Sequence, residues 1–178
     1  PTVTVDRNLA KTLHKVYKHN DFLGKEIFLK MSDWVRILFL PFLSIIINKQ
    51  LTFSEININS LIKNEIETNK FTISKLISSL NFYFIKRIKD YGISIKYFIE
   101  WHENQIIDRG MILGIKQFYK KVPILGYQGF VICPIYNFYL KPSFAEIKHG
   151  LAPDVIGVTG NDLKDGHSLK TIVVPAFR

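Results

Sequence analysis

The 178-residue chain is 47% hydrophobic and 13% aromatic, enough apolar material to bury a core and far from the composition of a disordered segment. Its 24 Lys and Arg outnumber 15 Asp and Glu, and the formal net charge of +9 points to anionic partners: nucleic acid, an acidic membrane surface or a phosphate-bearing small molecule. A lone cysteine, Cys133 in the apolar run "FVICPIY", excludes an intrachain disulfide and a cysteine zinc cluster and reads as a buried, inert thiol.

In chain order, "NLAKTLHKVYK" (8–18) sets Leu9, Leu13 and Val16 or Tyr17 at helical spacing behind Asn8 as an N-cap. The longest apolar run, "ILFLPFLSIII" from Ile37 to Ile47, is too short to cross a bilayer, which takes about 20 residues, and Pro41 interrupts it. It reads either as a core segment bent at the proline or as a patch that rests on a membrane surface, with Trp34 and Arg36 before it and Lys49 after. Residues 51–70 form a polar connection holding one short helix, "INSLIKNEIE". "FTISKLISSLNFYFIKRIKDYG" then predicts a long helix. Ile73, Leu76, Ile77, Leu80, Phe84, Ile88 and Tyr91 make one stripe, Thr72 or Ser74 caps the start, and Gly92 closes the end.

After Gly92 the period changes. "ISIKYFI" (Ile93 to Ile99), "VPILGYQ", "DVIGVTG" (Asp154 to Gly160) and "TIVVPAF" are β-branched and aromatic runs that predict strands. "NQIIDRGMILGIKQFYKK" predicts a helix through Ile107, Met111, Ile115 and Phe118 between the first two. Strands that are nearly continuous apolar runs, alternating with helices, predict a buried parallel sheet. The expected fold is therefore α/β: a Rossmann-like parallel sheet flanked by helices over 71–178, with a more helical, partly irregular N-terminal half over 1–70, in a single domain.

In such a sheet ligands bind beyond the carboxyl ends of the strands. The polar groups of this sequence gather there: Glu100 to Asn104 after the first strand, Tyr127, Gln128 and Gly129 after the second, Thr159, Gly160 and Asn161 after the third, Pro175 to Arg178 after the fourth. Within "FIEWHENQIIDRGMILG", Glu100 is either a general base or sugar-hydroxyl acceptor, or a charge placed at a helix N-terminus. Asn104 reads as a helix cap or a polar contact, Arg109 as a salt-bridge partner or an anion contact, and His102 and Asp108 as surface residues. Gly126 and Gly129 either let the backbone approach a ligand or mark a strand exit, and His149 before Gly150 fits a helix C-terminus. The five His are scattered without metal spacing, and GxGxxG, GxxxxGK[ST] and GxSxG do not occur, which removes the zinc, dinucleotide, P-loop and α/β-hydrolase readings.

The succession "EWHENQIIDRG", "PILGYQGF", "KPSFAEIKHGLAPDVIGVTG" and "VVPAFR" resembles bacterial surface-polysaccharide glycosyltransferases of the two-Rossmann-domain (GT-B) type, a capsule or lipopolysaccharide sugar-transferase family, over Ile93 to Arg178. The resemblance implies the N-terminal, acceptor-side domain, one half of a larger enzyme whose other half binds the nucleotide. It implies metal-independent transfer of a sugar from a nucleotide donor to a glycan or lipid-linked acceptor, with the nucleotide sugar as substrate and no further cofactor. Glu100 would be the catalytic base, and Asn104, Arg109, Tyr127, Gln128, Gly129 and Arg178 would contact substrate. The implied place is cytoplasmic, at the inner face of the cytoplasmic membrane, with peripheral membrane contact. One position departs from the family: a His often follows the Gln of the second loop, where this chain has Gly129, so no histidine role transfers there.

Two other classes fit parts of the sequence. Lys interleaved with aromatics in "NFYFIKRIK" and "KQFYKK" would suit base stacking in a basic nucleic-acid-binding module, although Phe84 also belongs to the apolar stripe of the long helix. A non-catalytic scaffold domain with the same fold is the other.

Overall fold

The computed structural model describes residues 24–42, 50–129, 141–164 and 168–176. The N-terminal part is helical: α1 (Lys25–Phe28), α2 (Met31–Phe39) running into a 3-10 turn at Leu40–Phe42, a small hairpin of β1 (Thr52–Phe53) and β2 (Ile56–Asn57), then α3 (Asn59–Thr68) and the long α4 (Ile73–Asp90). The remainder alternates strand and helix: β3 (Phe98–Trp101), α5 (Ile106–Phe118), β4 (Ile124–Gln128), α6 (Phe144–Lys148), β5 (Val155–Val158) and β6 (Lys170–Val173). β3 to β6 form one sheet in sequential order, every neighbouring pair parallel. This is the expected Rossmann-like α/β layer with a helical N-terminal half.

Parallel pairing carries all four strand C-termini to the same edge of the sheet. Register fixes which residues share a face: Phe98 lies beside Ile124, Glu100 beside Gly126, and Gly126 beside Ile156. Those positions face the helices, where Ile124 and Ile156 are fully buried. The alternate set, Ile99, Trp101, Leu125 and Tyr127, points to the opposite face, on which Ile99 and Trp101 stay exposed.

The core lies between the sheet and the α4–α5 pair. Ile85 and Ile88 from α4 meet Ile112, Ile115 and Tyr119 from the α5 side and Ile124 from β4. Each such side chain contributes about 1.5–3 kcal/mol by leaving water. Two glycines set the helix–helix distance: a methyl group on Gly110 would sit 1.8 Å from the Ser78 carbonyl oxygen, and one on Gly114 would sit 2.8 Å from the Ile85 Cβ. Tyr119 closes the end of the core by donating its hydroxyl to the Ile93 carbonyl at 2.7 Å.

A buried ion pair ties the N-terminal helices to this core. Asp33 of α2 is fully buried and takes two hydrogen bonds from Arg87 of α4, Nε to Oδ2 at 2.8 Å and Nη2 to Oδ1 at 2.6 Å. The guanidinium holds the Asp33 carboxyl below the usual carboxylate range.

Several expectations change in detail. The run from Ile37 is helical at its start, and only Ile37 enters the core, while Leu38, Phe39, Leu40 and Phe42 are exposed; its continuation to Ile47 lies outside the described residues, as do the 8–18 segment and Cys133. On α4 the middle of the expected stripe is buried, with Leu80 and Ile88 covered and Phe84 packed on the core, but its ends Ile73 and Tyr91 are exposed, and the buried side widens to Asn81, Ile85 and Arg87 where α5 and α2 pack. Gly92 does close that helix, at φ +75°. The first sheet strand begins at Phe98, not Ile93, because Ile93 and Ile95 are spent on the helix core before the chain reaches the ladder.

Candidate functional site

The carboxyl end of β3 carries the densest polar cluster, and strand geometry assembles it. Side chains two apart on a strand share a face, so Glu100 and His102 both point to the helix side. His102 extends the ladder one step past β3, its N–H donating to the Tyr127 carbonyl at 2.9 Å. Its ring lies over Gly126, where a methyl group would come within 3.0 Å of the imidazole and 2.8 Å of Pro153. Gly126 thus serves neither as a turn nor as a ligand approach; it makes room for the histidine.

His102 Nδ1 lies 3.0 Å from Glu100 Oε1, with His102 fully covered and the Glu100 side chain 8% exposed. His102 is therefore a correction to the sequence expectation of a surface residue. Its Nε2 is buried without a hydrogen-bond partner. Burial pushes the Glu100 carboxyl above its ordinary range, an effect that the hydrogen bond and charge of His102 partly offset and that the nearby Asp108 charge reinforces. Burial likewise raises Asp108.

The loop after the pair is locked from within. Gln105, not Asn104, is the N-cap of α5: its backbone carbonyl accepts from the Asp108 N–H at 3.1 Å, and Asp108 Oδ2 accepts from the Gln105 N–H at 3.0 Å. Asp108, expected on the surface, is the half-buried return arm of this capping box. Asn104 instead takes a left-handed conformation at φ +52°, and its amide hydrogen-bonds the Glu146 carboxylate. Arg109 forms an ion pair with the same carboxylate. Glu146 is in turn the third residue of α6 and closes a capping box with Ser143. Burial works against the Glu146 charge, but the Ser143 hydrogen bonds and Arg109 hold its carboxyl below the ordinary range. Arg109 thus takes the salt-bridge role of its two sequence readings, and with Asn104 it braces the β3–α5 loop against α6.

On the outer side of this loop, Trp101, Glu103, Gln105 and Asp108 line a shallow cleft. Glu103 joins two of its walls, accepting from the Trp101 indole N–H at 2.8 Å and from the Gln105 amide at 2.5 Å. Trp101 remains 52% exposed and is backed edge-on by Tyr127, with ring centroids 5.5 Å apart. The result is an aromatic plate with carboxylates and an amide held at fixed positions beside it.

Among the expected site residues, Glu100 and Gln128 lie on the helix side of the sheet and Tyr127 on the other, so the sheet plane divides them. Gln128 is fully buried at the end of β4. Gly129 follows it, hard against the Tyr127 ring. Arg178 lies outside the described residues. Two features escaped the sequence reading: the Glu-x-His spacing at a strand end, which predicts two side chains on one face, and the Trp101–Glu103–Gln105 alternation beside it. Among the described residues no three His, Cys, Asp or Glu side chains gather to hold a metal, and no helix is long and apolar enough to cross a membrane.

Comparison with protein-family models, curated proteins and solved structures finds no match to this chain.

Proposed function

We propose that this chain is the acceptor-side domain of a glycosyltransferase in surface-polysaccharide assembly, which moves a sugar from a nucleotide donor to a glycan or lipid-linked hydroxyl without a metal ion. The observation that carries this reading is the buried carboxylate–imidazole pair of Glu100 and His102 at the carboxyl edge of a parallel sheet, in a strand end and loop whose other face carries an aromatic cleft. Sugar rings have apolar faces and hydroxyl edges, and Trp101 flanked by Glu103, Gln105 and Asp108 offers a surface for each.

In this reading Glu100 is the base. Of the pair it alone retains exposure, and its raised pKa brings it closer to neutrality, where a carboxylate removes a hydroxyl proton most effectively. His102 stands behind it as a positioning residue, donating Nδ1–H to Oε1 and leaving the other oxygen for the acceptor. As the hydroxyl oxygen bonds to the anomeric carbon, its proton passes to Glu100. The anomeric C–O bond breaks, and the nucleoside diphosphate leaves with the electron pair. The positive charge of the chain suits such phosphate-bearing donors.

The test is nucleotide release from a panel of nucleotide sugars and glycan acceptors by the full-length protein that carries this chain. Glu100→Gln is expected to remove turnover while leaving the fold intact; turnover unchanged in that variant would discard the assignment. Of the residues a nucleic-acid-binding module would use, Phe84 packs on the core, the Tyr119 hydroxyl bonds the Ile93 carbonyl and Arg87 holds Asp33, which favours the transferase reading.

A further inference from the structure

α2 is an amphipathic helix turned inside out. Its inward side offers Asp33, bonded to Arg87, and Ile37. At about 100° per residue, Met31, Trp34, Val35 and Leu38 fall on a single stripe, continued by Phe39 at its border. That stripe faces away from the protein: Met31 is 78%, Leu38 60% and Phe39 64% exposed. The apolar surface continues past the helix, since Phe42 is exposed and stacks on Phe39 and on Phe71 of the α3–α4 connection. Ile73 at the start of α4 is exposed too.

We propose that this surface seats α2 flat on an anionic lipid bilayer. The charge around it decides for a lipid surface over a protein partner. The sole acid of α2, Asp33, is turned inward and neutralised, while Lys30 is exposed at the N-cap position and Arg36 on the flank; at the neighbouring cavity Lys75 stands beside Lys70, which is paired with Glu67 at 3.5 Å. Cations beside an outward apolar stripe carrying a tryptophan match the layering of acidic headgroups over acyl chains. That cavity, about 320 Å³, is lined by Ile37, Leu40, Leu76 and Ile106, an apolar recess behind the docking face. A helix of 9 residues is too short to span and lies in the interface. The surface is separate from the Glu100 site and does not rest on the transferase reading.

The experiment is co-sedimentation with phosphatidylcholine vesicles containing about a quarter phosphatidylglycerol, beside pure phosphatidylcholine vesicles. Binding is expected on the acidic vesicles, weakened by salt and on the neutral ones. Leu38→Glu with Phe39→Glu is expected to lower it by about tenfold or more, since acyl contact and charge are lost together. Both side chains are exposed, so the thermal melt of that variant is expected to match the parent, and a circular-dichroism melt reports this directly. Arg36→Glu is a second, milder variant, expected to reduce binding to the acidic vesicles only. No sedimentation with acidic vesicles, or binding undiminished in the double variant, overturns the proposal.

Discussion

Glu100 Oε1 and His102 Nδ1 stand 3.0 Å apart at the end of β3, covered from solvent on the helix side of the sheet. The two effects on Glu100 oppose each other: burial raises its pKa, and the hydrogen bond and charge of His102 lower it, with burial the larger. If Glu100 is the base, turnover needs its ionised form and falls on the acid side through a pKa above the ordinary glutamate value. His102→Phe removes the lowering contribution, so the acid limb of kcat is expected to move to higher pH while the alkaline side stays in place. A kcat–pH profile measures this, and an acid limb that does not move would strip His102 of its positioning role.

The same burial makes a stability prediction of opposite sense to the activity prediction. A carboxyl whose folded pKa lies above its unfolded value binds more protons in the folded state, so stability declines as pH rises from the ordinary glutamate range through the folded pKa. Glu100→Gln removes that decline. The variant is expected to be inactive yet at least as stable as the parent at neutral pH, with the gap closing on acidification below the ordinary range. Thermal melts across that interval decide it; a variant less stable at neutral pH but not at acid pH runs against the burial argument.

On the transferase reading proposed above, Trp101 would separate binding from chemistry. Its indole is the apolar plate of the cleft, and its N–H fixes Glu103. Trp101→Ala is expected to raise KM for the glycan acceptor by about tenfold, some 1.4 kcal/mol, with kcat changed far less. Glu100→Gln is expected to do the reverse. An acceptor KM that is indifferent to Trp101 would move the acceptor away from this cleft.

The fold class was legible because strands of the "VPILGYQ" kind are apolar on both faces, which only a covered parallel sheet satisfies. Boundaries were less so. Ile93 and Ile95 look like strand residues by composition but are drawn into the helix core, and no local signal separates those two uses of isoleucine. The site was half legible: Glu100 could be found as an acid at a strand end, whereas the burial of His102 depends on Gly126, a residue of the adjacent strand that is distant in sequence. Arg109 does take the salt-bridge role that its sequence allowed, but the partner that Arg109 and Asn104 share was hidden for a similar reason. Their partner Glu146 lies on α6, and a long-range ion pair leaves no mark on local periodicity.

Asp33 and Arg87 form a buried bidentate ion pair that joins α2 to α4. The pair is bidentate and Asp33 fully buried, so Asp33→Ala leaves the guanidinium only its 3.0 Å contact to Asp90 and is expected to cost about 3 kcal/mol, whereas Asp33→Leu with Arg87→Met replaces both charges by apolar groups and is expected to cost less. Because Arg87 holds the Asp33 carboxyl low, the stability it provides is complete above the ordinary aspartate range and is lost as pH falls through the folded value. Urea denaturation of the parent and the two variants at neutral and acid pH checks both statements. A double variant as unstable as Asp33→Ala would mean the pair contributes more than desolvation balance.

Gly110 offers the sharpest packing test, because propensity and contact there point in opposite directions. Alanine in a helix interior is favoured over glycine by about 1 kcal/mol. At Gly110 the added methyl would sit 1.8 Å from the Ser78 carbonyl oxygen, a backbone atom that cannot turn aside, so α4 and α5 must separate along the contact that builds the core. Gly110→Ala is therefore expected to be destabilising by about 3 kcal/mol or more. Gly114→Ala meets the Ile85 Cβ at 2.8 Å, a much milder overlap than the 1.8 Å at Gly110, and is expected to cost less. The ordering of the two is the discriminating result: equal or reversed losses in denaturant midpoint would show that α4 and α5 are free to move apart at the Ser78 end.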